Sequence, residues 1–261
     1  VFAWFNLACA FKGLNKIDEA IDALEYALAI DDTLDFVYQD IIELFIINKN
    51  YKKALEFIKD FESKFEVDED IFLLKGQCHE ALLEYKLSRY YYKRALHSSP
   101  NIAEAYFRIG ETYKSEDNWE QAYKFYMKAA ELDKQDYDYQ IVAAEAAQIT
   151  KEVEKAIEIT ENAIDLSVSR FEAYILMAQI FLHAGDADTA LEIIEKGIQF
   201  CKSNDELKFA KIAIIFYMGQ KQEAILQLMI MMSEAPGKEI FMLYMYPEME
   251  NDAEVAMILG G

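Results

Sequence analysis

Residues of similar size and polarity recur at intervals of 34 along most of the chain. Starting at Ala20, a step of 34 residues reaches five further alanines and one serine: Ala54, Ser88, Ala122, Ala156, Ala190 and Ala224. No insertion shifts the register between these seven positions. A constant step of this length predicts tandem structural repeats, because each repeat must present the same packing surface to its neighbours.

Other positions obey the same step, and we number the places within each repeat from 1 to 34, starting at Val1. Place 4 holds large residues, at Trp4, Tyr38, Phe72, Tyr106 and Tyr174. Place 8 holds small residues, at Ala8, Gly76, Gly110, Ala144 and Ala178. Gly185 and Gly219 share place 15, and Pro100 and Pro236 share place 32. Glycine and proline at fixed places predict where the helices end.

The apolar residues of each repeat form two helical stripes separated by a short polar break. Residues 15–29, NKIDEAIDALEYALA, show the second stripe. Apolar residues three and four apart predict amphipathic helices, so each repeat is predicted to be a helical hairpin. One hairpin cannot bury both stripes alone, and each must lean on the next. The expected fold is all-α: an α-α superhelix, or solenoid, of tandem 34-residue helical hairpins.

This pattern resembles the tetratricopeptide repeat family, whose unit carries Trp, Leu, Gly, Tyr, Ala, Phe, Ala and Pro at these places. The first repeat matches at Trp4, Leu7, Ala8, Phe11, Ala20, Leu24 and Ala27. The fourth matches at Tyr106, Ile109, Gly110, Tyr113, Ala122, Tyr126 and Ala129. The resemblance implies seven tetratricopeptide-type repeats over residues 1–238, about nine tenths of the chain.

The last residues, 239–261, leave the repeat pattern. They are expected to form C-terminal capping helices: a closing helix that ends at Pro247, a turn at Asn251 and Asp252, and a short second helix. A solenoid needs such an end, because its last repeat has no neighbour to cover it.

Polar residues stand at core places in three repeats: Lys75 and His79 in the third, Gln140 and Thr160 in the fifth, and Lys208 and Lys211 in the seventh. We expect His79 to be a partly covered packing residue and not a catalyst. In the seventh repeat the first helix is expected to use Leu207, Ala210 and Ile214 for packing.

The charge of the chain argues against polyanionic partners. It carries 26 Lys and Arg against 47 Asp and Glu, a formal net charge of −21. Such a surface repels phosphate backbones, so nucleic-acid binding is not expected. The most basic segment, residues 85–97, places Lys86, Arg89, Lys93 and Arg94 among tyrosines. We interpret it as a helix whose tyrosines pack inward, the alternative being a nucleic-acid-binding stripe.

Composition adds a few exclusions. Only 3 Pro and 9 Gly favour helix, and no apolar run approaches the roughly 18 residues of a membrane span, so no membrane insertion is expected. Cys9, Cys78 and Cys201 are too widely spaced to indicate a disulfide framework or a zinc site. The sequence opens inside a helical pattern at Val1, which suggests a fragment of a longer protein; a cytoplasmic location is the working expectation.

Motifs for catalysis or cofactor binding are not recognised. The only Gly-Lys pair, Gly237 and Lys238, precedes Glu239 and not the Ser or Thr of a P-loop. The three histidines share no metal-ligand spacing. Cys78 and His79 are adjacent on a predicted helix, so their side chains diverge by about 100° and form a poor catalytic dyad. The sequence therefore predicts no enzyme activity, no cofactor and no metal.

Binding is better supported by a second stripe on the first helix of each repeat. Places 4, 7, 8 and 11 face the hairpin core, which leaves places 2, 5, 9 and 12 on another face. Resemblance to the family implies that this stripe lines a concave peptide groove. The candidate groove residues are Asp70, Leu73, Gln77, Glu104, Phe107, Glu111, Asp138, Ile141, Glu145, Glu172, Ile175 and Gln179. They form an apolar row flanked by carboxylates and amides.

The working hypothesis is a protein-protein interaction scaffold whose groove binds a basic, partly apolar peptide or helix. A competing interpretation is that the acids at place 2 favour the helix dipole whatever the partner, and that place 5 packs against neighbouring helices. A clamp for the terminal carboxylate of chaperone tails is improbable, because that activity uses Lys, Arg and Asn on this stripe.

Two other functions stay open. The chain could be the substrate-recruiting arm of a larger enzyme. It could also be a self-assembling subunit, a homodimer for example, since eight of the 10 methionines lie between Met218 and Met257 and methionine suits adaptable apolar surfaces. The favoured interpretation of these methionines is that they fill the core of the closing helices.

Overall fold

The computed structural model describes residues 1–202 and 204–260, and every regular element among them is helical. The chain divides into two compact units, Val1–Leu132 and Asp133–Gly261, which we call the N-terminal unit and the C-terminal unit. The predicted capping segment, 239–261, extends to Gly261, which lies outside the described residues. No helix in the described ranges has the length and apolar character that crossing a bilayer requires.

The N-terminal unit, whose residues are all described, is a row of helical hairpins. Its helices are α1 (Phe2–Gly13), α2 (Ile17–Ile30), α3 (Asp35–Ile47), α4 (Tyr51–Lys64), α5 (Glu69–Ala81), α6 (Tyr85–Ser98), α7 (Ala103–Lys114) and α8 (Trp119–Leu132). The two helices of each repeat pack against each other, and each second helix packs on the first helix of the next repeat. The predicted hairpins and their order are confirmed here.

The C-terminal unit continues the same alternation. Its helices within the described residues are α9 (Tyr137–Ile149), α10 (Val153–Leu166), α11 (Phe171–His183), α12 (Ala187–Phe200), α13 (Asp205–Tyr217), α14 (Lys221–Glu234), α15 (Ile240–Met245) and α16 (Ala253–Gly260). A 3₁₀ helix, Pro247–Asn251, links α15 to α16. From α3 to α14 the helices begin at place 1 or place 17 without exception, so the register read from the sequence is the register of the fold.

The turn inside each hairpin has one conformation in all seven repeats. The residue at place 15 has a positive φ in each, and only Gly185 and Gly219 are glycines there; the others are Asn15, Lys49, Leu83, Asp117 and Lys151. The N–H group of place 16 donates to the carbonyl of place 11, as Glu84 does to His79 at 2.8 Å. A left-handed residue with this hydrogen bond satisfies the last carbonyls of the first helix. The left-handed conformation is sterically unfavourable for three of these residues, Lys49, Leu83 and Lys151, and is better tolerated by asparagine and aspartate.

We expect Leu83→Gly to raise the free energy of unfolding by about 1 kcal/mol, because glycine adopts φ = 62° without the steric cost that leucine has there. The Leu83 side chain is 71% exposed, so its removal costs little packing. Gly185→Ala, at φ = 83°, should have the opposite sign and a similar size. Urea titrations of the two variants check the pair. Destabilisation by Leu83→Gly would show that the leucine side chain matters more than the backbone.

Inside the hairpins, small residues of the first helix allow large rings on the second. A Cβ added at Gly76 would lie 2.4 Å from the ring of Tyr92, and one added at Gly110 would lie 2.5 Å from the ring of Tyr126. Both rings are fully buried. Where place 8 is alanine, place 24 is smaller: Leu24, Thr160 and Ile194. Glycine at place 8 and tyrosine at place 24 thus form a matched pair.

The polar residues at core places are accommodated by local partners. Thr160 is fully buried and donates its hydroxyl to the carbonyl of Ala156 at 2.6 Å. The ammonium of Lys75 lies 2.7 Å from a carboxylate oxygen of Glu62 and 4.6 Å from the ring centre of Tyr91. Gln140 is 5% exposed. A hydrogen bond replaces apolar packing at Thr160, and an ion pair does so at Lys75.

At the C-terminal end, the described residues after the seventh repeat form two short helices joined by a 3₁₀ helix. Leu207, Ala210 and Ile214 of the seventh repeat are fully buried, as expected. The predicted closing helix and second helix are α15 and α16, while Asn251 belongs to the 3₁₀ helix between them and not to a turn. Four of the eight late methionines are buried: Met231, Met242, Met245 and Met249. Their core-filling role is confirmed, while Met229 and Met257 are exposed.

Candidate functional site

In the N-terminal unit, the predicted stripe lies along α5 and α7. Leu73 and Phe107 are half-buried, and the ring of Phe107 lies 5.9 Å from that of Tyr126. The Gln77 amide donates to a carboxylate oxygen of Glu104 at 3.2 Å, which joins neighbouring repeats. Asp70 is exposed, but partial desolvation of its carboxyl group, together with the negative charges of Asp68 and Glu69, raises the pKa of that group. We call Leu73, Gln77, Glu104 and Phe107 the repeat 3–4 strip.

Carboxylates and one arginine surround this strip. The Nε of Arg108 lies 3.4 Å from a carboxylate oxygen of Glu104, and its Nη1 lies 3.8 Å from one of Glu80. Glu80 also accepts the hydroxyl of Tyr92 at 2.5 Å. Burial raises the pKa of the Glu80 carboxyl group above its ordinary value, against the opposing effect of Tyr92 and Arg108. The strip therefore carries an organised, partly desolvated charge network.

The side chain of Glu111 is fixed by a hydrogen bond within its own hairpin. Its carboxylate accepts the hydroxyl of Tyr126, the ring that fills the space beside Gly110. The packing rule of the hairpin interior thus also fixes a charged side chain on the candidate surface. A carboxylate held in one rotamer loses less side-chain entropy when a partner binds.

The raised pKa of Glu80 predicts a pH dependence of stability. A carboxyl group whose pKa is raised in the folded state binds protons more tightly when the protein is folded. Its contribution to the free energy of unfolding is therefore fully present below the ordinary pKa of 4.5. That contribution is lost as the pH rises through the folded-state pKa. We expect the free energy of unfolding of Glu80→Gln to fall less than that of the wild type over this interval. Urea titrations between pH 4 and 7 measure the difference. Identical slopes for the two proteins would contradict the assignment.

In the C-terminal unit, the predicted acids have an internal partner. Arg170 lies 2.8 Å from a carboxylate oxygen of Asp138 and 3.1 Å from one of Glu172. Its guanidinium group stacks on the ring of Tyr137 at 3.8 Å from the ring centre. The single positive charge of Arg170 therefore offsets one of the two negative charges of Asp138 and Glu172. Ile141 is half-buried and packs against the cluster formed by Tyr137, Ala163 and Ala173.

The last two predicted groove residues, Ile175 and Gln179, are buried by the chain itself. Ile175 is 3% and Gln179 8% exposed. The Gln179 amide donates to the backbone carbonyl of Tyr244 in α15 at 2.9 Å. The pKa of the Tyr244 hydroxyl is raised mainly by burial and also by the negative charge of Glu145. On this part of the stripe, the C-terminal segment covers the face that the sequence predicts to be a peptide groove.

Three residues that lie beside the predicted groove residues were not among the candidates from the sequence. Glu80 stands at place 12, which belongs to the stripe, but it was not included among the candidates. Arg108 and Arg170 stand at places 6 and 34, outside the stripe, and reach it only because an arginine side chain is long. The 34-residue repeat identifies equivalent positions. It does not show which long side chains extend far enough to contact residues on another face of the helix.

The remaining candidate groups are structural. Cys78 is buried, and burial raises the pKa of its thiol to about 12, so it is not a nucleophilic thiolate at neutral pH. The ring of His79 stacks on Tyr91 at 5.2 Å between ring centres, and its Nδ1 lies 2.6 Å from Glu84, which confirms its packing role. Within the described ranges, no group of three or more His, Cys, Asp or Glu side chains could hold a metal ion.

The basic helix α6 packs as expected only in part. Tyr92 is fully buried, but Tyr90 is 51% exposed. Arg89 is paired with Glu116 at 2.8 Å and lies over the ring of Tyr113.

Comparison with known families identifies two of the repeats directly. Models of the tetratricopeptide repeat match residues 1–34 and 103–136, which are the first and fourth repeats counted from the sequence. A curated relative, the BBSome complex member BBS4 of Bos taurus, is 26% identical over 192 residues. The alignment covers 70% of this chain and 36% of BBS4, so the chain spans about a third of that relative's length.

Solved structures show the same fold. The C-terminal part of a tetratricopeptide repeat protein from Cytophaga hutchinsonii superposes with a TM-score of 0.74 at 17% identity, over 98% of this chain and 99% of that one. YrrB, described as a tetratricopeptide repeat protein with an unusual peptide-binding site, superposes with a TM-score of 0.51 at 23% identity, over 70% of this chain and 90% of its own. The whole described chain therefore has counterparts among helical-repeat solenoids.

Proposed function

Because this chain is a tetratricopeptide repeat protein, we propose that it is a non-catalytic scaffold that binds a basic, partly apolar peptide or helix along α5 and α7. Proteins of this family generally mediate protein-protein interactions. The partner contacts the repeat 3–4 strip, and its positive charges face Asp70, Glu104 and Glu111. Carboxylates at the edge of an apolar row steer a basic ligand, while the row supplies the contact area.

One observation carries this proposal. Leu73 and Phe107 remain half-buried in the N-terminal unit, whereas Ile175 and Phe209 at the same places are buried in the C-terminal unit. An apolar row with acids beside it favours a partner of opposite charge. Two of the compared proteins also interact with other molecules: YrrB has a peptide-binding site, and BBS4 is a member of a complex.

The competing explanation of the acids is the helix dipole, since Asp70 and Glu104 lie in the first turns of α5 and α7. That explanation does not cover Glu111, which lies in the last turn of α7, where a carboxylate is unfavourable to the dipole. Partner binding is compatible with all three carboxylates, and Glu111 has in addition a structural role as the acceptor of the Tyr126 hydroxyl.

The test uses a synthetic amphipathic helix of lysine and leucine as the probe, titrated into the whole chain. We expect Asp70→Asn/Glu111→Gln to weaken binding about three- to tenfold at low salt and less at high salt, because the lost attraction is screened. Glu120→Gln/Glu131→Gln, an equal charge change on exposed positions of α8, should leave the affinity within about twofold. If the two double variants weaken binding equally, the probe binds through general attraction to an acidic protein, and the proposal is wrong.

A further inference from the structure

The C-terminal unit shows what kind of segment this stripe accommodates. Lys238, just before α15, places its ammonium 2.7 Å from a carboxylate oxygen of Glu206. At the other end of α15, the carbonyl of Tyr244 accepts the Gln179 amide at 2.9 Å. Between them, Ile175 and Phe209 belong to the same buried cluster as Met242 and Met245 of α15. We call Ile175, Gln179, Glu206 and Phe209 the α15 seat.

The residues of the α15 seat recur three repeats earlier in the chain. Gln77, Glu104 and Phe107 stand at the places of Gln179, Glu206 and Phe209, and Leu73 stands at the place of Ile175. Glutamine at place 9 occurs in only the third and sixth of the seven repeats. The repeat 3–4 strip therefore has the same polar pair and the same apolar pair as a surface that holds a short helix.

The polar pair of the repeat 3–4 strip is already in position. The Gln77 amide lies 3.2 Å from the Glu104 carboxylate, so both groups are within reach of one ligand. In the α15 seat the equivalent two side chains hold opposite ends of the same segment. A ligand that supplies an ammonium group and a backbone carbonyl breaks the hydrogen bond between Gln77 and Glu104. The ammonium group then pairs with Glu104, and the carbonyl accepts the amide of Gln77.

We propose that the repeat 3–4 strip is a second seat for a short apolar helix of the α15 kind, an inference that rests on the proposed function and specifies its ligand. The ligand carries a lysine before its first turn, which pairs with Glu104. Aliphatic or aromatic side chains pack on Leu73 and Phe107. A backbone carbonyl near its last turn accepts the amide of Gln77.

The two seats differ at Arg108, which pairs with Glu104 and stands at the place of buried Ala210, and at one end, where the difference sets the specificity. Glu80 and Glu111 stand at the places that Leu182 and Ala213 occupy in the C-terminal unit. Leu182 is 3% exposed and Ala213 fully buried. The ligand of the repeat 3–4 strip therefore carries lysine or arginine on the side that faces Glu80 and Glu111, where the C-terminal unit has the apolar side chains of Leu182 and Ala213 instead of carboxylates. Opposite charge at this end distinguishes the partner from α15 itself.

The test is a titration of the whole chain with a fluorescent peptide of residues 237–246, GKEIFMLYMY, followed by polarisation. We expect saturable binding that Glu104→Gln weakens about tenfold and Gln77→Ala about fivefold, in line with the loss of one charged and one neutral hydrogen bond. A peptide with lysine in place of its final tyrosine should bind more tightly than the parent. Glu131→Gln and Gln135→Ala, at exposed positions, are matched controls that should not change the affinity.

Each outcome separates this inference from the proposed function. If the 237–246 peptide does not bind, or binds equally to Gln77→Ala and Glu104→Gln, the inference is wrong. It is also wrong if Gln179→Ala weakens binding and Gln77→Ala does not, because the peptide would then be exchanging with α15 in its own seat. If the lysine-leucine probe still responds to Asp70→Asn/Glu111→Gln, the proposed function survives that failure. If neither peptide binds, both proposals fail.

Discussion

Gly110→Ala is expected to lower the free energy of unfolding by about 1–3 kcal/mol, the usual range for overpacking a tight interior. The new Cβ would lie 2.5 Å from a ring carbon of Tyr126, closer than any relaxed contact allows. The ring cannot easily retreat, because it is fully buried and its hydroxyl is bonded to Glu111. Chemical denaturation of the variant measures the loss.

A second substitution should recover part of this loss. Gly110→Ala/Tyr126→Leu recreates the pair that the first repeat uses, Ala8 and Leu24. Tyr126→Leu alone leaves a gap beside glycine, so both single variants are destabilised while the double variant loses less than their sum. We expect a coupling of at least about 1 kcal/mol in the double-mutant cycle. Additive effects would show that Gly110 and Tyr126 do not form a matched pair.

Gly13→Ala is the control for this cycle. A Cβ at Gly13 meets nothing within 4 Å, and the residue ends α1. Alanine is the better helix former, so this change should be neutral or slightly stabilising. A loss as large as that of Gly110→Ala would mean that glycine-to-alanine changes destabilise this chain for a reason other than packing.

Met242→Ala is expected to cost about 2–5 kcal/mol, as other buried methionine truncations do. Met242 is fully buried in the cluster that also contains Ile175, Phe209 and Met245. Its loss weakens the attachment of α15 to the α15 seat. Urea titration should show the loss of stability, and hydrogen exchange should show faster exchange at the amides of α15.

Met257→Ala makes the same chemical change at a side chain that is 76% exposed. Because no packing is lost, its effect should stay within about 0.5 kcal/mol. A large effect at Met257, or a small one at Met242, would contradict the division of the late methionines into core and surface.

Much of the fold follows from the sequence because each repeat solves the same packing problem. Places 8 and 24 lie within one hairpin, so their size relation can be read from a single repeat. The conformation at place 15 could be predicted from the sequence in only some of the repeats. Gly185 and Gly219 indicated it, but Leu83 and Lys151 adopt the same positive φ without a glycine. There the fixed helix geometry on both sides imposes the turn, and local preference does not decide it.

The candidate site was less predictable, because its most informative contacts lie outside the repeat pattern. Gln179 and Tyr244 are 65 residues apart, and the segment containing Tyr244 follows the last repeat. Arg170 pairs with Asp138 across one repeat through a long flexible side chain. A periodic pattern shows which residues share a face, but not which segment of the chain covers that face.

The most direct measurement of the central proposal is photo-crosslinking from the strip itself. Phe107→p-benzoylphenylalanine places a reactive ketone on the repeat 3–4 strip, and Tyr90→p-benzoylphenylalanine places one on the exposed face of α6, where the tyrosine is 51% exposed. With the lysine-leucine probe, we expect crosslinks from position 107 that unlabelled probe suppresses, and few from position 90. Equal yields at both positions, or none at position 107, would contradict a binding surface on α5 and α7.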